Sequence, residues 1–392
     1  MLLEQPSGDS SDEDLLLNSA SLIEPELETS GGAADLVDAA TLHPSLTGCG
    51  LVSSAIVNAV GLFTSGVITS DELLECVAAD RKFREAARRG AIEDSEFWVS
   101  FAFGESWESK KKRIERSSVH ALNKETEGYD LVGMIVKAND DVRQEVFAMQ
   151  LIELCGEAWA SAGLSDLWVQ PYKIVATGAA TGIIECVHNA LSLDALKKGE
   201  NWTSLTTWYQ SMGPEREPAA KKNFVKSLAS YSVFCYLFQI KDRHNGNILI
   251  DHKGHLIHID FGFLLGIAPG NAWSLETAPF KLTQEMMELL GGIESPLFAE
   301  FVTLFICGFM ALQAHEDTFL TVVEITAKKS TFPCFQGKDG KEITARLRER
   351  FASHLGKEET VLRCLNLVKA AYSSYGTVQY DKFQNLTNGV AI

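Results

Sequence analysis

Uninterrupted long apolar runs, paired cysteines and an overall basic charge are all missing from this chain of 392 residues, and each absence removes a class of protein. No apolar run approaches the roughly 18 to 20 residues that cross a bilayer, so a membrane-spanning chain is not expected. The eight cysteines are scattered singly between Cys49 and Cys364 with no C-x-x-C pair, the pattern of reduced thiols in a cytosolic compartment rather than of a disulfide framework. The opening MLLEQPSGDSSDED has no basic n-region, which argues against a signal peptide, and no lipidation motif stands at either end. Cations are missing unevenly. The first 50 residues hold ten acidic side chains and no Lys or Arg, so they carry −10 of the net charge of −17 and the other 342 residues only −7. A basic field for nucleic acid is absent, and no nucleic-acid partner is expected.

What is present reads as a globular chain long enough for two or three domains. Residues 1–45 mix Ser, Gly, Asp and Glu and read as an acidic disordered tail. Within it SDEDLLL (Ser11–Leu17) is a charged stretch with a chance leucine run, an acidic dileucine sorting signal being the alternative. Residues 46–103 read as a helical segment whose far end carries Arg81, Lys82, Arg84, Arg88 and Arg89, a solvated face or a contact for anionic lipid. Glu105–Ser118 is a second basic helix candidate. Tyr129–Asp140 reads as a strand ending in Lys137, and the apolar positions from Val142 to Leu154 as a helix that Gly163 closes. WVQPYKIVATG and TGIIECVHNA look like two strands around a glycine turn. Lys221–Gln239 is helical and mostly apolar, hence buried, and helical patterns dominate from Gly262 onward. A few strands, one helix, a hinge and a mostly helical half predict a two-lobed α+β enzyme.

The chemistry concentrates in Lys241–Gly262, KDRHNGNILIDHKGHLIHIDFG. Phosphoryl transfer needs an aligned hydroxyl and Mg²⁺ to neutralise growing charge; protein kinases supply these with an Asp, an Asn five residues on, and the Asp of a later D-F-G. Here Asn247 follows Asp242 by five residues, and Asp260 opens DFG. Hard oxygen ligands suit Mg²⁺. ILI and LIHI are short strand candidates joined by DHKG, and a hairpin there brings Asn247 and Asp260 to one end. Lys137 supplies a cation for nucleotide phosphates, and Glu145, eight positions later on the helix, a carboxylate to hold it. TGIIECV reads as the hinge, with the Glu185 carbonyl and the Val187 amide for adenine.

On these residues the chain resembles the phosphatidylinositol 3-/4-kinase catalytic domain family, through IVK…DDVRQE, QPYKI…GIIE, KDRHNGN and HIDFGF. The likeness continues in ETAPFKLTQEMMELLGG, PCFQG and YDKFQNLTNGVAI, and GESWESKKKRI is similar to an element just before that domain. It is strongest to type III beta phosphatidylinositol 4-kinases and covers about residues 104–392. The resemblance implies a kinase-like domain preceded by a helical segment, with a small β-rich N-lobe to the hinge (104–187) and a larger, mostly helical C-lobe (188–392). It further implies ATP and Mg²⁺, with Mn²⁺ as a possible substitute, and phosphatidylinositol in membranes as substrate. Lys137 would take the ATP phosphates and Glu145 orient it; Asn247 and Asp260 would hold the metal. Asp242 and His244 would stand at the inositol hydroxyl with His244 as base, and Arg243 would support the loop. A cytoplasmic enzyme on Golgi or other endomembranes is implied, with a small GTPase or adaptor as recruiter.

Two features refine that expectation. Between Asp260 and Lys281 the activation segment, with Phe261, Gly262 and Trp273, contains no Lys or Arg, so it offers nothing to neutralise extra ring phosphates and favours phosphatidylinositol itself. The family's short glycine- and proline-bearing phosphate turn is replaced by SSVHALNKETEG, in which Ser117 and Ser118 can present hydroxyls and amides. His255 reads as structural, His258 as a core or a catalytic group, Trp159, Trp168 and Trp202 as packing, and Trp273 as packing or a membrane anchor. The C-terminal VLRCLNLVKAAYSS is a packed helix or one lying on a bilayer. Competing readings are a protein Ser/Thr kinase of the related large-kinase family and an inactive kinase-like scaffold.

Overall fold

The computed structural model describes residues 99, 102–117, 130–199, 202–269, 277–372 and 375–392. All lie in one of the chain's two compact units, Ala91–Ile392. The expectations for the acidic tail, for most of residues 46–103, and for Ser118 and Trp273 fall outside the described residues, as does the side chain of Ser117.

The fold is α+β. Helix α1 (Trp107–Ser117) leads to strand β1 (Met134–Ala138) and helix α2 (Arg143–Ser161). Strands β2 (Ile174–Gly178) and β3 (Thr181–Glu185) complete an antiparallel sheet of order β1-β3-β2. Ala162 and Gly163 end α2, Gly163 at φ +73°, as the sequence predicts. Gly182 pairs with Lys137 across β1 and β3. A Cβ at Gly182 would stand 2.2 Å from Val142 Cγ2, so only glycine lets the head of α2 lie against the sheet.

After β4 (Ala190–Ser192) come helices α3 (Leu193–Lys198), α4 (Leu205–Ser211) and α5 (Glu217–Leu237). Helix α5 is buried on nearly every side from Phe224 to Leu237, as a helix apolar all round must be. Arg350 closes its C-terminus: Nε donates to the Tyr236 carbonyl at 2.7 Å, and the guanidinium lies 4.2 Å over the Tyr236 ring. A cation there satisfies the last carbonyls and opposes the helix dipole. Strands β5 (Ile248–Asp251) and β6 (Leu256–His258) form the expected hairpin and join β4 in a second sheet, β4-β5-β6.

The remainder is helical: α6 (Gln284–Leu289), α7 (Pro296–Ala314), α8 (Glu316–Ala327), α9 (Gly340–Phe351), α10 (Lys357–Tyr372) and α11 (Tyr375–Asn388). Helix α7 corrects one expectation. Its 19 residues include a single charge, Glu300, and are long and apolar enough to cross a membrane. Its buried residues Phe301, Phe305, Gly308, Phe309 and Leu312 instead form one stripe at helical spacing, with Phe309 6.0 Å from Tyr236 of α5 and Phe305 5.1 Å from Phe280. That is a core-facing helix, and run length alone did not separate the two cases.

Candidate active site

Two aspartates at the ends of the Lys241–Gly262 stretch are held in left-handed backbone, Asp242 at φ +67° and Asp260 at φ +60°. Such conformations cost a non-glycine residue free energy and persist only where the surroundings impose them. Arg243 imposes them here. It is 2% exposed. Its Nε donates to the Lys241 carbonyl at 3.1 Å, its Nη1 to the Ile259 carbonyl at 2.9 Å and its Nη2 to the Asp260 carbonyl. The guanidinium also lies 5.3 Å from the Phe261 ring, which is buried edge-on against Phe234. One arginine thus ties the loop before β5 to the segment after β6, a supporting role.

The hairpin aligns the oxygen donors. The Ile259 amide donates to the Asn247 carbonyl at 3.1 Å, which sets Asn247 beside the residue before Asp260. Asn247 Nδ2 donates to the Asp242 carbonyl at 3.0 Å, so the amide's donor end is tied and its oxygen is left for a cation. Among the described residues no group of three or more His, Cys, Asp or Glu could hold a metal alone. One carboxylate and one amide oxygen instead fit an ion that takes its remaining ligands from phosphate and water.

Lys137 stands on β1 with its Nζ 3.1 Å from Asp140 Oδ2. That hydrogen bond holds the ammonium above its usual pKa, against burial, and the Glu145 and Asp260 charges act in the same direction. Glu145, in the first turn of α2, has its carboxyl pushed up to about 7 by burial and by Asp260, with Lys137 opposing. Lys137, Glu145 and Asp260 therefore share one electrostatic neighbourhood, although the lysine's ion-pair partner is Asp140. Gln144, which the sequence reading passed over, bridges three segments. Its Nε2 donates to the carbonyls of Phe261 at 3.2 Å and Gly262 at 2.7 Å, and its Oε1 accepts from the Cys334 amide at 3.0 Å.

Around Asp242 the structure adds residues far away in sequence. The Tyr380 hydroxyl donates to Asp242 Oδ1, and Gln384 Nε2 donates to the Tyr380 oxygen at 2.7 Å. Lys281, expected in the activation segment, is buried with its Nζ 2.7 Å from Asp381 Oδ1 and 3.0 Å from Asn245 Oδ1, which makes it a strut. Asn245 Nδ2 donates to the Ala391 carbonyl at 2.8 Å. Helix α11 and the residues after it thus hold the Asp242–Asn247 loop. His244 Nε2 lies 3.9 Å from Asp242 Oδ1, and its Nδ1 accepts from the Gly246 amide at 3.1 Å. Burial holds the imidazole below its usual pKa, with Arg243 and Lys281 helping against the Asp242 and Asp260 charges. The neutral ring accepts at Nδ1 and so carries its proton on Nε2.

The Glu185–Val187 segment follows β3. The Glu185 amide donates to the Lys173 carbonyl at 2.8 Å and the Cys186 amide to Gly133 at 2.9 Å; among the described residues no group accepts from the Val187 amide. His258 is a core group, stacked 4.7 Å from Tyr231 with its Nδ1 3.4 Å from Cys235 Sγ. His255 is bound to Asp251 Oδ2 at 2.9 Å, and Trp159 is wholly buried.

Residues 131–336 match the model of the family described as phosphatidylinositol 3- and 4-kinase. The chain is 40% identical over 295 residues to phosphatidylinositol 4-kinase beta 1 of Arabidopsis thaliana, covering 73% of this chain and 26% of the relative. It is 38% identical over 338 residues to phosphatidylinositol 4-kinase PIK1 of Saccharomyces cerevisiae, covering 81% and 30%. It is 38% identical over 300 residues to phosphatidylinositol 4-kinase beta of Sorex araneus, covering 76% and 36%. The chain thus spans about a quarter to a third of the length of these relatives.

Proposed function

The chain belongs to the phosphatidylinositol 3- and 4-kinase family, and from that premise we propose that it transfers the γ-phosphate of MgATP to the 4-hydroxyl of phosphatidylinositol. The observation that carries the proposal is the convergence of Lys137, Glu145 and Asp260 in one electrostatic neighbourhood, with Asn247 beside Asp260 across the hairpin. In this reading the β1-β3-β2 sheet with α2 is the smaller lobe and the helical remainder the larger. Lys137 binds the nucleotide phosphates, with Asp140 and Glu145 limiting where its ammonium can go. The open amide of Val187 and the carbonyl of Glu185 take the adenine edge.

Asn247 and Asp260 would hold Mg²⁺, which when bound neutralises charge on the transferred group. Asp242 and His244 manage the hydroxyl's proton. Because the neutral His244 carries its own proton on Nε2, that nitrogen cannot take a second one, so the Asp242 carboxylate accepts the hydroxyl's proton and His244 stands beside it as a hydrogen-bond donor. The pair acts together, and Tyr380 fixes the carboxylate's position. An activation segment without cations suits a lipid with no extra ring phosphate. A peripheral enzyme on Golgi or other endomembranes, recruited by a small GTPase or adaptor, accords with the apolar side chains that α10 and α11 leave exposed, among them Leu362, Val378, Phe383 and Leu386. Radiolabelled ATP supplied with phosphatidylinositol vesicles and a protein substrate together tests the function. Label on the 4-position of the lipid is expected; label on the protein alone, or none, overturns it.

A further inference from the structure

The segment from Glu185 to Asn189 is gripped by groups with no part in the proposed reaction. Trp107, the first residue of α1, lays its indole flat on the His188 imidazole, with 3.8 Å between ring centres and 6° between planes. The Trp107 amide, unpaired within its own helix as the first amides of any helix are, donates to Asn189 Oδ1 at 2.8 Å. Asn189 sits in left-handed backbone at φ +50°, and its carbonyl accepts from the His252 amide at 2.8 Å. From the other side Gly133 accepts the Cys186 amide, and a Cβ on Gly133 would stand 2.5 Å from His188 Cε1. His188 is thus held between an indole face and a bare glycine backbone.

Helix α1 is itself well anchored. Ser106 Oγ accepts from the Ser109 amide at 3.1 Å, and Arg113 makes two bonds of 2.7 Å to Glu105. Lys111 pairs with Asp130, at the approach to β1. The helix precedes residue 131, where the family match begins. Neither ring of the stack belongs to the core, since Trp107 and His188 are both half-buried. Their alignment adds little to core volume and much to the direction of the backbone at residue 187.

We propose that α1 braces the base-binding segment: the Trp107–His188 stack and the Trp107–Asn189 bond hold the Val187 amide and the Glu185 carbonyl in register for a purine ring. This rests on the adenine reading of that segment given above. Trp107, His188 and Asn189 are positioning residues, two and more steps removed from the nucleotide. Two hydrogen bonds to a base edge tolerate little misplacement, and a segment held in place before binding loses less entropy on binding. The brace acts on the base and leaves phosphate, metal and hydroxyl alone, so its loss falls on KM for ATP and spares kcat.

The test uses the full chain and measures affinity for a non-hydrolysable MgATP analogue and for magnesium tripolyphosphate, which lacks the base. Trp107→Ala is expected to weaken the nucleotide analogue about fivefold, with Trp107→Phe recovering most of the loss, as the range for aromatic pairs implies. Asn189→Gly keeps the left-handed backbone, removes the Oδ1 acceptor and is expected to weaken the analogue about threefold. It carries the test if Trp107→Ala fails to fold. Tripolyphosphate affinity stays at the wild-type value, and KM for ATP rises while kcat stays within about twofold. Unchanged nucleotide affinity in folded Asn189→Gly overturns the brace. So does an equal loss for tripolyphosphate, which marks general damage. A wild-type chain that binds tripolyphosphate as well as the nucleotide defeats the adenine reading itself, and the brace falls with it.

Discussion

In the β1-β3-β2 sheet much of the surface meets water, Val136 on β1 being 78% exposed, whereas β5 and β6 of the second sheet are almost wholly buried, Ile250 at 0%. The exposed sheet carries Lys137, with 41% of its side chain accessible and a single acid three residues away as its ion-pair partner. The buried hairpin carries Asn247 and leads to Asp260, where backbone strain is held by an arginine under several carbonyls. In the proposed reaction a cation that meets a triphosphate can stand on a lightly packed sheet. In that same reaction oxygen ligands that align an in-line transfer cannot, and the fold buries Asn247 in the hairpin while Asp260, itself exposed, is held through its carbonyl by Arg243.

The largest expected effect comes from the hairpin side. Asp260→Asn keeps a residue that tolerates φ +60° but removes the carboxylate, so turnover should fall at least about 10³-fold with the unfolding temperature nearly unchanged. Activity near wild type would break the metal assignment. Packing gives the next contrast. Ile250→Ala should cost about 2–5 kcal/mol in urea unfolding, while Val136→Ala on the exposed sheet should stay within about 0.5 kcal/mol. Equal losses would erase the distinction between the sheets.

Tyr380→Phe removes the hydroxyl that steadies Asp242, and kcat should fall about tenfold with KM for ATP held, read in steady-state kinetics. The smallest effect sits where the two sides meet, at Glu145. Its carboxyl titrates near 7 in the folded chain and near 4.5 when unfolded, so the folded state holds the proton more tightly. The stability this lends is complete below about 4.5 and disappears as the pH climbs through about 7. Glu145→Gln should therefore raise the unfolding temperature of the metal-free, nucleotide-free chain at pH 8 and leave it nearly unchanged at pH 4.5. A gain of the same size at both pH values would show that burial is not what perturbs this group.

The legible part of the site was its local part. Asp242, Asn247 and Asp260 fall within one loop and one hairpin, so spacing and turn signals were enough to bring them together. The strand lysine and helix carboxylate were also readable, but Asp140 as the direct partner of Lys137 was not, because spacing gives residue types and not side-chain reach. Gln144 was hidden between more suggestive neighbours, since an amide that satisfies backbone carbonyls leaves no periodic trace. Tyr380, Asp381 and Lys281 were beyond reach for another reason. Their bonds to the loop and to one another span 36 to 138 residues, and only the packed helices fix which of them meet. The same holds for α7, whose stripe of buried phenylalanines becomes distinguishable from a spanning segment once α5 lies against it.

Gly182 links the two sheets' tasks through an atom it does not have. It sits opposite Lys137 and under Val142, so its bareness decides how near the strand cation comes to the helix that bears Gln144 and Glu145. Any side chain added at this point with Val142 retained would therefore wedge the strand cation away from the turn of helix that carries the amide and the acid.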